Sequence, residues 1–179
     1  MNFEEHPCMP DEALIDLFRQ AFTASEGVEE GQLIATLVRD LLVDTAREDI
    51  YVFTALDKEV LVGAAIFTRL CYSNDHRCTF ILGPMATITT RQGQGIGKAL
   101  IRASLQALRA AEVDIVMTYG DPAFYSKTGF SPVSEKEAPA PYELQYPHGW
   151  LVNKLSNSPV SPLAGPVSCV PALRKRVYW

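Results

Sequence analysis

The feature that most constrains this chain is a strand, a glycine-rich turn and a long amphipathic helix that follow one another between Phe80 and Ala111. The turn reads Gln92-Gly93-Gln94-Gly95-Ile96-Gly97, with Lys98 directly after it. Glycines remove Cβ atoms where the chain bends, and the helix that follows begins with unpaired N–H groups and the positive end of its dipole. The segment therefore predicts a binding site for an anion, most naturally a phosphate.

The spacing of the glycines separates three kinds of phosphate-binding turn. A dinucleotide fingerprint requires a glycine three positions after its second glycine, where this chain has Lys98. A P-loop requires a glycine five positions before its final Gly-Lys and a Ser or Thr after the lysine, where this chain has Gln92 and Ala99. Both are excluded, and the turn matches the pattern Q-x-x-G-x-G between a strand and a helix.

Hydrophobic periodicity predicts the remaining elements. Two helices are expected, over 10–22 and 33–43, joined by a short acidic loop, and a hairpin is expected over 50–56 and 60–68. A strand over 78–87 leads into the turn, a helix over 95–111 follows it, and a buried strand over 114–119 is expected to lie parallel to strand 78–87. Beyond residue 130 the sequence is proline-rich and less regular, and the final strands, one of them at 150–155 or near 140–146, are expected only from the family resemblance described below. The fold class is α/β, a mixed sheet with helices on its faces.

The segment Gly120 to Phe130, GDPAFYSKTGF, predicts a short helix directly after the strand over 114–119. Asp121 is expected to cap this helix, with Pro122 at its first position and Gly129 as its end. Tyr125 then lies on a single helical turn close to the end of the buried strand.

Three segments in this order, LGPMAT, QGQGIGKALI and GDPAFYSKTGF, resemble the GNAT acetyltransferases, and within them the YhbS-like branch. The resemblance covers roughly residues 80–130 and, more loosely, 50–130. It implies a mostly antiparallel central sheet with two parallel, splayed strands at the coenzyme site and helices on both faces. It also implies one domain over residues 1–179, with 80–130 as the catalytic core and about 157–179 as a covering arm.

The same resemblance implies an N-acetyltransferase that moves an acetyl group from acetyl-CoA to a primary amine of a small molecule or a protein, by direct attack in a ternary complex. Tyr125 is expected to point toward the coenzyme sulfur and to protonate the departing thiolate. The main chain of the strand is expected to hold the pantetheine arm, and the amides of the turn, with Lys98, are expected to hold the diphosphate. These cofactor-binding residues are Met85, Ala86, Thr87, Gln92, Gly93, Gln94, Gly95, Ile96, Gly97 and Lys98.

Several alternatives stay open at the level of sequence. The family has V-x-P-[DE]-[YF]-Q between strand and turn, whereas this chain reads Thr87-Ile88-Thr89-Thr90-Arg91-Gln92 and lacks the proline. Arg91 is either a phosphate contact or a solvated arginine. No general base is visible, and Glu26, Glu29 and Glu30 either border the acceptor or form an acidic helix start. The rival function is a non-catalytic module that binds or senses acyl-CoA.

Composition excludes other classes of function. The 179 residues carry a net charge of −5 with scattered basic residues, which argues against a nucleic-acid surface. The four cysteines lack the spacing of a zinc site, so no metal is expected. There is no secretory signal and no apolar run long enough to span a membrane, so a cytoplasmic protein is expected. The oligomeric state is open, with a homodimer among the options.

Overall fold

The computed structural model describes residues 1–156 and 162–179. Its helices are α1 (Asp11–Glu26), α2 (Val28–Asp44), α3 (Ile96–Ala110) and α4 (Pro122–Tyr125). Its strands are β1 (Asn2–Glu5), β2 (Ile50–Asp57), β3 (Val60–Tyr72), β4 (Thr79–Thr87), β5 (Ile115–Tyr119), β6 (Ser131–Pro132), β7 (Trp150–Lys154) and β8 (Val167–Cys169).

In the described residues the strands form one sheet in the order β1-β2-β3-β4-β5-β7-β6, and β8 pairs with β3. Strands β4 and β5 run parallel, and their register joins Thr79 to Ile115 and Leu82 to Thr118. The pairs β1–β2, β3–β8, β5–β7 and β6–β7 are antiparallel. Helix α3 makes the crossover that a parallel pair requires. The predicted α/β class and the predicted parallel strands are both confirmed.

The described chain divides into two compact units, and the first contains Met1–Phe67 and Gly83–Ser104. Helices α1 and α2 pack against each other through fully buried side chains such as Phe18, Val38 and Leu41. On the strands, the rings of Phe53 and Phe67 meet edge to face at 5.6 Å. These apolar residues recur at helical or strand spacing, which is why the sequence predicted the elements that carry them.

The second unit contains Thr68–Leu82 and Leu105–Trp179. Trp150 at the start of β7 is fully buried, and its indole N–H donates to the carbonyl of Ala138 at 2.8 Å. Trp179 is also buried and donates to the carbonyl of Leu173 at 2.9 Å. The C-terminal residues therefore belong to the core of this unit. Residues 157–161 of the predicted covering arm lie outside the described residues, and the prediction of a single domain stays a prediction.

Three local features differ from the sequence prediction. Helices α1 and α2 run longer than expected and are joined by one residue, Gly27, whose φ of 103° suits glycine. Glu29 and Glu30 consequently lie in the first turn of α2, not in a loop. Strands β1, β6 and β8 were not predicted, because segments of four, two and three residues are too short to show a period of two. The strand expected after residue 139 is β7, at the first of the two predicted positions.

Substitution of Gly31 tests the packing of α1 against α2. A Cβ atom at this position would lie 2.8 Å from the carbonyl oxygen of Arg19 and 2.9 Å from the amide nitrogen of Thr23. Alanine favours a helix interior over glycine by about 1 kcal/mol, so helix propensity alone predicts stabilisation. We expect Gly31→Ala to lower the free energy of unfolding by about 1 to 3 kcal/mol, because overpacking outweighs propensity. Urea denaturation measures the change.

The matched control is Glu29→Ala, on an exposed side chain of the same helix. It should change the free energy of unfolding by no more than about 0.5 kcal/mol. A Gly31→Ala variant with a raised urea midpoint would contradict the close packing described above.

Candidate functional site

The glycine turn has the backbone geometry that the sequence predicts. Gly93 and Gly95 have φ angles of 76° and 82°, in the left-handed region that residues with a Cβ atom avoid. A Cβ atom built on either glycine would meet no atom within 4 Å. The two glycines are therefore required by backbone conformation, and the space above them is open to a ligand.

The amide groups of the turn are unpaired. Helix α3 begins at Ile96, and the first amide that closes a helical hydrogen bond is that of Ala99, which donates to the carbonyl of Gly95 at 3.0 Å. Across the described residues, none of the N–H groups from Gly93 to Lys98 donates a hydrogen bond to the protein. Six consecutive donors at the positive end of a helix dipole could hydrogen-bond the oxygens of an anion such as a diphosphate.

Gln92 stabilises the conformation of the turn through two hydrogen bonds. The side chain of Gln92 donates to the carbonyl of Thr87 at 3.3 Å, and its own amide donates to the carbonyl of Thr89 at 3.3 Å. Gln92 thus closes the turn onto the end of β4, and its N–H is already used. This geometry favours a structural role for Gln92, which the sequence placed among the cofactor-binding residues.

Arg91 links the turn to the hairpin of β2 and β3. Its guanidinium donates to the amide oxygen of Gln94 at 2.9 Å and to the carboxylate of Asp57 at 2.8 Å. The hydrogen bond from Arg91 lowers the pKa of Asp57. The sequence left two interpretations of Arg91 open, a phosphate contact and a solvated arginine. The structure adds a third feature, because the arginine pairs with a carboxylate and stabilises the turn.

Strand β4 extends beyond its parallel partner. The register with β5 comprises four residue pairs and ends at Leu82, whereas β4 continues to Thr87. Met85, Ala86 and Thr87 lie in this extension. On its β3 side, a Cβ atom on Gly63 would lie 3.2 Å from the carbonyl oxygen of Ala86, so glycine at 63 permits the close approach of the two strands. An extended ligand could add to the extension of β4 as a further strand does to a sheet.

The second candidate element, in the other compact unit, is the short helix α4. The carboxylate of Asp121 accepts a hydrogen bond from the amide of Ala123 at 2.8 Å, and Pro122 occupies the first helical position. Gly129, with a φ of 94°, ends the turn of 3-10 helix that follows α4. The predicted cap, proline start and glycine end are all confirmed.

The ring of Tyr125 is fixed by its neighbours. The rings of Phe124 and Phe130 meet it at centroid distances of 5.1 and 5.6 Å, both in steeply inclined arrangements. A Cβ atom on Gly120 would lie 2.7 Å from Cε2 of Tyr125, so the glycine makes room for the ring. The tyrosine is half-buried, and these ring contacts restrict its direction.

Burial raises the pKa of Tyr125, and the charge of Asp121 raises it further, while a hydrogen bond with the side chain of Thr118 opposes the change. Thr118 is itself fully buried and donates to the carbonyl of Leu82 at 3.0 Å. The phenol therefore stays protonated at neutral pH. Sequence reasoning missed Thr118 and Gly120. For Gly120 the sequence offered one indication, a glycine directly before the Asp-Pro start of the helix. For Thr118 it offered none.

The acidic residues near the junction of α1 and α2 are not assigned as the general base of a reaction. Burial raises the pKa of Glu30, and the charge of Glu26 raises it further. Among the described residues no group of three His, Cys, Asp or Glu side chains could hold a metal ion. None of the helices in the described ranges has the length and apolar character needed to cross a membrane.

The site combines a parallel β-α-β crossover, six amides at its turn without partners among the described residues, and a short helix that carries a half-buried tyrosine. These features define an α/β protein whose turn has donors suited to the oxygens of a diphosphate. The family comparison is more specific. Residues 47–132 match the model of the acetyltransferase (GNAT) domain. A curated relative, the uncharacterized N-acetyltransferase YjhQ of Escherichia coli, is 31% identical over 146 residues, which cover 79% of this chain and 78% of that protein. The chain belongs to the GNAT acetyltransferase family and is an acyltransferase.

Solved structures share this fold. The GNAT acetyltransferase YhbS of Escherichia coli, solved in complex with CoA, matches with a TM-score of 0.82 at 20% identity over 98% of this chain and 92% of that one. A GNAT acetyltransferase of Brucella melitensis, solved in complex with acetyl-CoA, matches with a TM-score of 0.66 at 22% identity over 96% and 97%. The resemblance to the GNAT family that the sequence indicated is confirmed.

Hydrogen exchange tests the unpaired amides directly. In the protein without ligand, we expect the N–H groups of Gly93 to Lys98 to exchange far faster than those of the later turns of α3, because they lack partners within the protein. Exchange followed by NMR at single-residue resolution measures this difference. Protection of these six amides equal to that of Leu100 to Leu108 would show that the turn is closed by contacts that contradict this geometry.

Proposed function

We propose that the protein transfers the acetyl group of acetyl-CoA to a primary amine of a small molecule or a protein, by direct attack in a ternary complex. The observation that carries the proposal is the run of six unpaired amides from Gly93 to Lys98, in a chain that belongs to the GNAT family. The seat they form suits the diphosphate of a coenzyme, and family membership supplies the reaction type.

The donor is held, in this proposal, by main-chain groups. The amides of residues 93–98 and the ammonium of Lys98 bind the diphosphate oxygens, and Arg91 and Gln92 keep the turn in the shape that presents those amides. The main-chain groups of Met85, Ala86 and Thr87 hydrogen-bond the amides of the pantetheine arm as they would a neighbouring strand. Backbone recognition of this kind specifies the donor and leaves the acceptor unspecified.

The reaction proceeds in three steps. The neutral amine attacks the carbonyl carbon of the thioester, and a C–N bond forms while the carbonyl oxygen becomes negative. The C–S bond then breaks, the amine nitrogen loses a proton to solvent, and the coenzyme thiolate takes the phenolic proton of Tyr125. Return of a proton to Tyr125 from solvent completes the cycle, and the products are an N-acetylated amine and CoA.

The environment of Tyr125 suits a general acid. Burial raises the pKa of its phenol, so the group is protonated at the pH at which the thiolate leaves. The same effect makes transfer of the proton to a thiolate less favourable, and the hydrogen bond with Thr118 partly offsets it because that bond lowers the pKa. Thr118 therefore acts in this proposal as a residue that adjusts the acidity of Tyr125.

Removal of the phenolic hydroxyl tests the acid. We expect Tyr125→Phe to lower kcat by about 10²-fold or more, because a positioned acid contributes on that order. The ring contacts with Phe124 and Phe130 persist in the variant, so the KM for acetyl-CoA should change little, while loss of the hydrogen bond with Thr118 should lower the free energy of unfolding by about 1 kcal/mol. Release of CoA thiol with a panel of primary amines measures the rate.

The matched control is Tyr142→Phe, on a tyrosine whose ring lies 6.2 Å from that of Trp179. It should leave kcat unchanged. Equal rates for Tyr125→Phe and the unmodified protein would remove Tyr125 from the mechanism. Saturable binding of acetyl-CoA without turnover on any amine would favour the rival function, an acyl-CoA binding module.

A substitution that strains the backbone of the glycine turn tests whether the turn binds acetyl-CoA. Gly95→Ala forces a Cβ atom into the left-handed region at a cost of about 1 to 2 kcal/mol, and relief of this strain moves the amides away from the diphosphate. We expect the Kd for acetyl-CoA, measured by titration calorimetry, to rise about tenfold or more, since 1.4 kcal/mol corresponds to a factor of ten.

Gly27→Ala is the matched control, because Gly27 also has a positive φ with open space around the missing Cβ atom. It should destabilise the protein to a similar extent and leave the Kd for acetyl-CoA unchanged. If both variants bind acetyl-CoA as the unmodified protein does, the turn is not the donor site.

A further inference from the structure

A second concave site lies within the unit that carries Tyr125, at the carboxyl end of β5. It is a cleft of about 350 Å³, and the proposed reaction has so far assigned it no role. Residues from the end of β5, the start of α4 and the segment before β7 surround it, among them Tyr119, Gly120, Asp121, Tyr146, His148 and Gly149. We call this site the β5 cleft.

Backbone forms the floor of the β5 cleft. The amide of Gly120 donates to the carbonyl of Gly149 at 3.0 Å, which continues the β5–β7 pairing by one residue beyond each strand. A Cβ atom on Gly149 would lie 3.0 Å from the carbonyl oxygen of Gly120 and 3.4 Å from the ring of Tyr119. Glycine at 149 therefore allows the two chains to approach closely, and the cleft floor carries no side chain at these two positions.

Aromatic rings form the walls. The hydroxyl of Tyr119 accepts a hydrogen bond from the amide of Tyr146 at 2.7 Å, which ties the segment before β7 to the end of β5. The side chain of Tyr146 is 63% exposed, although an aromatic ring of this size is usually covered. Its ring meets that of His148 at 6.1 Å in an edge-to-face arrangement. An exposed tyrosine face attracts a cation through the ring quadrupole.

The start of α4 places one carboxylate, that of Asp121, at the rim of the cleft. Oδ1 of Asp121 accepts the amide of Ala123, while Oδ2 accepts no hydrogen bond from the described residues. The amides of Phe124 and Tyr125 both donate to the carbonyl of Asp121, and Pro122 has no N–H. The start of α4 therefore presents a carboxylate oxygen to the cleft, while the amides of Ala123, Phe124 and Tyr125 are already used within the helix start.

We propose that the β5 cleft binds an alkylammonium group of the acceptor through the carboxylate of Asp121 and the ring of Tyr146. This proposal rests on the proposed function. The amine that attacks the thioester must be neutral, so the ammonium in the cleft is a second, distinct group of the same molecule. The acceptor class is a diamine or another primary amine with a second positive charge. Gly120 connects the cleft with the chemistry, because it lines the cleft and also contacts the ring of Tyr125.

Binding can be tested without any acetyl transfer. Tetramethylammonium carries the required charge and cannot be acetylated, so it probes the cleft alone. In a titration followed by ¹⁵N NMR, we expect shifts of the amides of Gly120, Gly149 and Tyr146. Asp121→Asn should weaken this binding about tenfold, because asparagine keeps the helix cap and removes the charge. Tyr146→Leu should weaken it by a similar factor, because it removes the aromatic face.

The matched control is Glu135→Gln, an exposed carboxylate in the same unit that does not line the cleft. It should leave the affinity for tetramethylammonium unchanged. The proposal is overturned if the three amides do not shift, if Asp121→Asn binds the probe as tightly as the unmodified protein, or if inorganic phosphate shifts the same amides instead.

Turnover supplies the second test. The ratio of kcat/KM for 1,4-diaminobutane to that for 1-aminobutane should exceed one, and Asp121→Asn should lower this ratio about tenfold. Tetramethylammonium should compete with the diamine. Turnover of both amines with a ratio unaffected by Asp121→Asn overturns the cleft proposal and leaves the proposed function standing. Binding of tetramethylammonium without turnover of any amine supports the cleft and counts against the proposed function.

Discussion

The constraint on which the rest of the structure depends is the unpaired state of six successive backbone amides between Gly93 and Lys98. Backbone N–H groups are strong donors, and native proteins leave very few of them without a partner unless water or a ligand supplies one. Two residues with positive φ bend the chain so that these donors precede a helix whose dipole adds to their field. Such a turn stabilises no core by itself. Its arrangement makes sense if a negatively charged molecule completes it.

The surrounding structure holds this turn in place. Gln92 bonds back to the end of β4, and Arg91 joins Gln94 to Asp57 on the β2–β3 hairpin. The residues of the pattern Q-x-x-G-x-G therefore have different roles. The glutamine closes the turn by a hydrogen bond, and the glycines permit its backbone conformation. The lack of the family's proline before the turn is consistent with this bracing, because a side-chain hydrogen bond and an ion pair restrict the segment where a proline ring is missing.

Much of the fold could be predicted because its signals are local. The period of α3, the proline and aspartate at the start of α4 and the β-branched run of β5 each specify their own element. The short strands β1 and β8 and the single-residue junction at Gly27 depend on partners distant in sequence, so no local pattern indicates them. The same limit applies to the site. Tyr125 stands in a recognisable motif, but the roles of Thr118, Gly120 and Gly149 arise from contacts that only folding creates.

The central claim is that the amides of the glycine turn hold the diphosphate of the donor. A crystal structure of the protein with bound CoA tests it most directly. The account predicts diphosphate oxygens about 2.7 to 3.2 Å from backbone nitrogens between Gly93 and Lys98, the ordinary range of an N–H···O hydrogen bond. A diphosphate bound elsewhere, with these amides bonded only to water, would contradict it.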